Sequence, residues 1–415
     1  MASIKIKNFG PIKEGYTEND GFIPIQKYMA FIGSTGSGKS TIVKLISTLC
    51  WLEKAMFQRK IDWETFGKRR LFEYCESQKI ERYFYRLNIL NLETFIEYRG
   101  TAYTLRYEKG VLYITENDLK EYYIPKITFI PAERNFVSIL DDAGDRDNLP
   151  DSINWCIEEY FKARKRVKMP ITLPINNNLK FDFNVSENTA YIEGADYKLK
   201  LSQAASGIQS VAPMYITLIY LNDFLAEQQK DPIKASSYNT RVKFINEIQE
   251  VKTRNVAVPV RDALLADVYK KYTIFSLNTI IEEIEQNLFP DSQRSVLNKV
   301  LEFTNNIADN KLILTTHSPY IIGYMTLAMK GFMLSDRVKG NKELENKLEQ
   351  VVPIASCIDP DDAGIYQLDL NGNVTRIEIR NGIISGKNYL NEKMKEENYL
   401  FDKLLEIEEE LEWAK

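Results

Sequence analysis

The run Gly33-Ser34-Thr35-Gly36-Ser37-Gly38-Lys39-Ser40-Thr41 constrains this chain more than any other feature, because it satisfies G-x-x-x-x-G-K-[ST] in the context where that pattern has a mechanism. Before it, Tyr28 to Ile32 is a short apolar run that reads as a strand. After it, Ile42, Leu45, Ile46, Leu49 and Leu52 recur at helical spacing toward Phe57, with no proline or glycine between them. Strand, glycine-rich loop and helix curl consecutive backbone N–H groups around a phosphate, and the helix N-terminus adds partial positive charge. Gly33, Gly36, Ser37, Gly38 and Thr41 belong to that cradle, Lys39 reaches the β- and γ-phosphates, and the Ser40 hydroxyl suits magnesium. The expected fold is α/β, a mixed sheet with flanking helices.

Other chemistry is narrowed by what the chain lacks. With 415 residues it is one large domain with insertions, or two domains. One histidine, His317, cannot build a two-His zinc site or an HExxH helix. The four cysteines, Cys50, Cys75, Cys156 and Cys357, have the spacing of neither a zinc ribbon nor a small disulfide framework, so reduced thiols and a cytoplasmic setting are expected. The formal net charge of −4 gives no global field toward nucleic acid or anionic lipid. No apolar leader opens the sequence and no run of apolar residues is long enough to span a bilayer, so neither export nor membrane insertion is expected.

Along the chain, Ile4 to Lys7 and Tyr28 to Ile32 read as two strands of one mixed sheet. The expected ATP-site core comprises 1–57, 126–225 and 273–387, interrupted by a helical and hairpin segment at 58–125 and a polar helical insertion at 226–272, and followed by a charged helix at 388–415. An amphipathic helix over 151–168 ends in Lys162, Arg164, Lys165, Arg166 and Lys168, which reads either as a solvated helix end or as a contact for nucleic acid.

A phosphate cradle needs a further carboxylate for magnesium and a base for water. Thr279-Ile280-Ile281-Glu282-Glu283 offers two adjacent acids at a strand end, and Leu312-Ile313-Leu314-Thr315-Thr316-His317 places the histidine at the end of another. Ala205-Ser206-Gly207-Ile208-Gln209 precedes a helix, with Ser206 expected as its N-cap or, alternatively, as a phosphate contact.

The order Gly33–Ser40, Ser206–Gln209, Glu282-Glu283, His317 resembles the ABC-type ATPase heads of the RecF, SMC and OLD group, in which Walker A, signature, Walker B and His-switch follow in that order. Ile130-Pro131-Ala132-Glu133-Arg134 resembles a strand-end motif of the defence-associated branch, and the layout is most similar to the AriA-type ATPase subunits of PARIS anti-phage systems. The resemblance implies Mg-ATP held between two subunits of a homo-oligomer. Lys39, Ser40 and Thr41 of one subunit would hold the phosphates, and Ser206 and Gly207 of the other would close over them. Glu283 would polarise water, Glu282 would hold the water shell of magnesium, and His317 would position the γ-phosphate.

For the whole protein the resemblance implies a sensor that holds a separate TOPRIM nuclease inactive and releases it on meeting a phage anti-restriction protein, often an acidic DNA mimic. The signature departs from the transporter Leu-Ser-Gly-Gly-Gln, and Glu133 is the candidate for the missing Q-loop glutamine. A RecF-like DNA-repair ATPase acting on duplex DNA is the alternative. Glu193 and the group Asp359, Asp361 and Asp362 look like pieces of a TOPRIM site, but ATPase elements separate them, so they are expected to be hairpin turns and the chain is expected to have no nuclease activity of its own.

Overall fold

The computed structural model describes residues 1–61, 71–118, 122–140, 149–175, 178–231 and 238–413. Parts of both expected insertions, including Pro232, Ser236 and Ser237, lie outside the described residues. The N-terminal part contains β1 (Ser3–Lys7), β2 (Gly15–Tyr16), β3 (Ile23–Pro24) and β4 (Tyr28–Gly33), then α1 (Lys39–Phe57). Next come β5 (Phe95–Arg99), β6 (Tyr103–Glu108), β7 (Val111–Glu116) and β8 (Pro125–Ile130), followed by α2 (Asp151–Arg164). A small antiparallel sheet, edged by the two-residue strand Ile171–Thr172 and continuing through β9 (Lys180–Asn184), β10 (Thr189–Glu193) and β11 (Lys198–Lys200), leads into α3 (Ser206–Lys230), α4 (Tyr238–Thr253) and α5 (Val258–Tyr272). The remainder is β12 (Ser276–Ile281), α6 (Pro290–Asn305), β13 (Lys311–Thr316), α7 (Pro319–Val338), α8 (Lys342–Val351), β14 (Ala363–Leu368), β15 (Asn373–Ile377) and α9 (Tyr389–Trp413).

The principal sheet has the order β8-β12-β13-β4-β14-β15-β2, and its first five strands are mutually parallel. Every residue of β4 is buried, as expected for a central parallel strand covered on both faces. A second sheet, β3-β1-β5-β6-β7, is antiparallel. Two expectations change here. Strands β1 and β4 belong to different sheets, and β1 pairs along its whole length with β5, so the hairpins after residue 95 complete a sheet begun at the N-terminus. Alternation along β1 was visible in sequence; its partner, some ninety residues away, was not.

The two sheets enclose α1. Ile42, Leu45 and Leu49 are fully buried in one cluster with Ile4 and Ile96 from the antiparallel sheet and with Phe31 and Ile313 from the principal one. A helix apolar on nearly every face is what such a position requires. On the far side of the principal sheet, Ala30, Ile32 and Leu314 pack with α3, α6 and α7. Helix α3 runs past residue 225, where the core was expected to end, to Lys230. No helix among the described residues is long and apolar enough to cross a membrane. All four cysteines are free and buried.

Parallel pairing brings the strand ends to one edge. Thr316 lies opposite Ile32, and Ile281 lies opposite both Leu314 and Ile130. The residues that follow, in the Gly33 loop, at Glu282-Glu283, at His317 and at Ala132 to Arg134, therefore emerge together at the C-terminal edge, where open α/β sheets place their ligands.

Candidate functional site

Gly38 caps α1 with φ +104, a left-handed conformation, and a Cβ there would lie 2.6 Å from Ile12 Cδ1, so both torsion and space demand glycine. The loop it closes leaves the Ser37 hydroxyl oxygen buried without a partner. The Lys39 side chain folds back over the loop, and its Nζ donates to the carbonyls of Gly33 and Ser34, each at 2.9 Å. Reaching a phosphate means exchanging these two acceptors for phosphate oxygens.

Burial pulls the Lys39 ammonium down to about 8, against the opposing pull of Glu283, Glu285 and Glu282. Phosphate needs the charged form. Above about pH 8 the free protein must therefore take up a proton to bind nucleotide, and affinity should fall toward about tenfold per pH unit. Equilibrium titration with a fluorescent ATP analogue from about pH 7 to about pH 9.5 tests this. His317 does not confound the window, because burial, reinforced by Lys39, holds its pKa below the ordinary histidine value.

Glu282 is 2 % exposed. Burial raises its pKa, the Ser40 side chain hydrogen-bonds it, and the neighbouring Glu133 raises it further. Its Oε1 is buried with no hydrogen-bond partner. A carboxylate oxygen left open beside a serine hydroxyl is a hard-oxygen pair suited to magnesium. At Glu283 the backbone turns to φ +46, its N–H donates to Thr315 Oγ1 at 3.0 Å, and the side chain swings outward, 40 % exposed. Its Oε1 stands 3.7 Å from His317 Nε2, beyond hydrogen-bond length and facing an imidazole that is neutral at pH 7. One bend thus aims adjacent acids in two directions, the buried one at Ser40 and the open one at His317.

Two further residues complete this geometry. Arg134, fully buried, donates from Nη1 to the carbonyl of Glu282 at 2.6 Å and from Nη2 to the carbonyl of Glu283 at 2.8 Å, which fixes the bend between the acids. Glu285 accepts the His317 backbone N–H at 2.5 Å. Arg134 stood in a stretch already singled out and Glu285 two residues past another, but neither residue type announces a backbone clamp. Removing the guanidinium releases the bend and takes a donor from the Glu282 carbonyl, while the Glu283 carbonyl keeps the Gln286 N–H at 2.9 Å, so Arg134→Met should cost about 1–3 kcal/mol and lower turnover more than nucleotide binding. Thermal melts and ATPase assays on the variant check both effects.

Ser206 and Gly207 lie at the start of α3, against the turn that follows Glu283. The N-cap of α3 is Ala205, so Ser206 is the first helical residue, exposed, and does not cap as expected. Gln209 Nε2 closes the turn by donating to Ser202 and Ala204 carbonyls, each at 2.9 Å. A Cβ on Gly207 would meet the Asn287 carbonyl at 2.5 Å, so α3 begins hard against the turn that follows Glu283. Phe289 on that turn is exposed.

The other expected features resolve as structure. Glu193 pairs with Lys198 at 2.6 Å, and Asp359 caps a short turn through the Asp361 N–H. Among the described residues no group of three or more His, Cys, Asp or Glu side chains could hold a metal. Within the basic run, Arg164 is buried against Phe161 and Phe183, Arg166 pairs with Glu227, and Lys162 pairs with Glu159. Lys162, Lys165, Arg166 and Lys168 remain exposed, as in the solvated-helix-end reading, while Arg164 belongs to the core.

Residues 271–322, which carry the Glu282-Glu283 bend and His317, match the family described as AAA ATPase domain. Among solved structures, the chain is similar to the SMC head domain from Thermotoga maritima, with 9% identity, coverage of 92% of this chain and 96% of that one, and a TM-score of 0.33. It is also similar to an Smc head with an extended coiled coil bound to the C-terminal domain of ScpA, from Pyrococcus furiosus, with 9% identity, coverage of 93% and 96%, and a TM-score of 0.36. A post-hydrolysis dimer of an ATP-binding cassette bound to ADP and Pi gives 10% identity, coverage of 92% and 99%, and a TM-score of 0.27. No curated protein matches the sequence.

Proposed function

We propose that this chain is a magnesium-dependent ATPase head of the ABC type. The observation that carries the reading is the convergence of Lys39, Ser40, Glu282, Glu283 and His317 at the ends of parallel strands β4, β12 and β13. Magnesium held there would neutralise charge on the phosphates. Lys39 would exchange its loop carbonyls for phosphate oxygens, and the Ser40 hydroxyl and Glu282 carboxylate would hold the cation. Glu283, outward and beside a neutral imidazole, orients water and accepts its proton, and His317 holds the γ-phosphate end in register.

On the resemblance, Ser206 and Gly207 at the start of α3 would meet the loop of a second copy, and the active unit would be an ATP-bridged pair within a homo-oligomer. Turnover per chain should then rise with protein concentration before reaching a plateau. Concentration-independent turnover by a monomer would defeat the paired site.

On the resemblance to the AriA-type subunits, we further propose a sensor in anti-phage defence that holds a separate TOPRIM nuclease and releases it to a phage anti-restriction protein, with no nuclease activity in this chain. Nucleotide-driven change at the head moves such a partner only if the partner prefers one state. Co-expression with a TOPRIM protein encoded beside this chain should give a complex that needs ATP and an intact Lys39. Magnesium-dependent cleavage of nucleic acid by the isolated chain would overturn the assignment.

A further inference from the structure

The backbone ladder between β12 and β13 stops at Ile281 and Leu314, short of Glu283 and His317. Past that point no strand pairing among the described residues keeps the two chain ends in register. Even so, Glu283 Oε1 and His317 Nε2 stand 3.7 Å apart, a spacing that two free strand ends would not hold.

Side chains continue the ladder where the backbone leaves it. The Glu283 N–H donates to Thr315 Oγ1 at 3.0 Å, and the His317 N–H donates to Glu285 Oε1 at 2.5 Å. These two rungs run in opposite senses, one from the turn to the strand and one from the strand to the turn. A third rung follows: Ser318 Oγ donates to Gln293 Oε1 at 2.6 Å, and Gln293 Nε2 donates to the Leu288 carbonyl at 2.9 Å. Gln293 and Ser318 are both buried, where polar groups persist because they are bonded. The turn that carries Glu285 is closed on itself, with the Gln286 N–H on the Glu283 carbonyl at 2.9 Å and the Leu288 N–H on the Glu285 carbonyl at 3.0 Å. The carboxylate is therefore fixed in place before it meets His317.

Glu285 is the costly member of this set. A hydroxyl or an amide oxygen would suffice to accept one N–H, whereas the second oxygen of Glu285, Oε2, is buried with no hydrogen-bond partner. In return the contact to His317 is short and charge-assisted. The same charge is felt by the groups around it: burial lowers the pKa of Lys39 and of His317, and Glu285 opposes that shift at each. We infer that Glu285 is a positioning residue, which holds the His317 backbone in register with Glu283 and so sets the spacing of the two side chains that handle water. Its effect on turnover rests on the proposed ATPase activity, whereas the contact itself belongs to the free protein.

The test combines steady-state kinetics with a readout that needs no nucleotide. Because His317 is the only histidine, protein labelled with 15N-histidine gives a single backbone amide signal, whose hydrogen exchange reports this contact directly. In Glu285→Ala that amide should exchange at least about tenfold faster than in the parent protein, with Glu285→Gln, which keeps an acceptor oxygen, in between. Turnover should follow the same order: Glu285→Ala lowers kcat about 10²-fold, the scale for a small misplacement of a reacting group, while KM for ATP stays within about threefold. Glu285→Gln should recover at least about tenfold of that loss. If Glu285→Ala does not fold, Glu285→Asp, one methylene short of the His317 N–H, takes its place. Equal amide exchange in the parent and the shortened variant overturns the proposal. So does faster exchange with kcat unchanged, or a loss of kcat as large in Glu285→Gln as in the shortened variant. A parent protein without turnover defeats the ATPase reading and the kinetic consequence with it, and the amide exchange then decides the contact alone.

Discussion

Lys39→Ala is expected to lower ATP turnover by at least about 10²–10³-fold, the scale for losing one preorganised charge aimed at a reacting group, and to weaken nucleotide binding as well. The structure separates this effect from misfolding. Lys39 is buried, and its ammonium is held partly at the expense of desolvation. Removing it takes away a buried charge together with two hydrogen bonds to the Gly33 and Ser34 carbonyls, so the melting temperature should move little. Activity lost at an unchanged melt supports the cradle. Full turnover by purified Lys39→Ala protein, with contaminating ATPase excluded, would refute it.

Glu283 and Glu282, adjacent in sequence, should answer the same substitution in opposite ways. Glu283→Gln keeps the shape of a half-exposed side chain and removes the charge that orients water. Turnover is expected to drop about 10²–10⁴-fold while ATP binding survives, leaving ATP-bound pairs that persist on size-exclusion chromatography. Glu282→Gln removes a carboxylate whose pKa burial raises, so the variant should melt no lower than the parent protein. Its defect should instead be in magnesium-dependent nucleotide binding, because the anionic carboxylate beside Ser40 becomes a neutral amide. If Glu282→Gln is the variant that traps ATP-bound pairs, the two roles are exchanged.

Much of the site was legible because its residues sit in local patterns. The glycine-lysine-serine run, the two acids after an apolar strand and the histidine after another are each contiguous, and parallel strands deliver such ends to a common edge. The bend at Glu283 was not legible. Its φ of +46 belongs to a non-glycine residue, and what stabilises it comes from elsewhere: Arg134 across the sheet edge and Thr315 on the next strand. The basic run at 162–168 is mostly a solvated helix end, one of its two readings, but which of its charges is internal was not legible, because charge on paper carries no partner. Arg164 is a core residue stacked on two aromatic rings, and Arg166 faces Glu227 from a distant helix.

The sequence by itself determined the local units: a strand, phosphate loop and helix at 28–57, the apolar strands before Glu282 and His317, and the amphipathic or charged character of the later helices. Period and turn chemistry act over a few residues, and a single sequence carries most of them, the misplaced cap at Ser206 excepted. Only the tertiary structure decided that β1 pairs with β5 instead of joining β4, that α1 lies between two sheets, and that α3 begins hard against the turn after Glu283. Each of these depends on which surfaces meet across tens or hundreds of residues, and that choice is made by shared burial and backbone pairing, which no local pattern records.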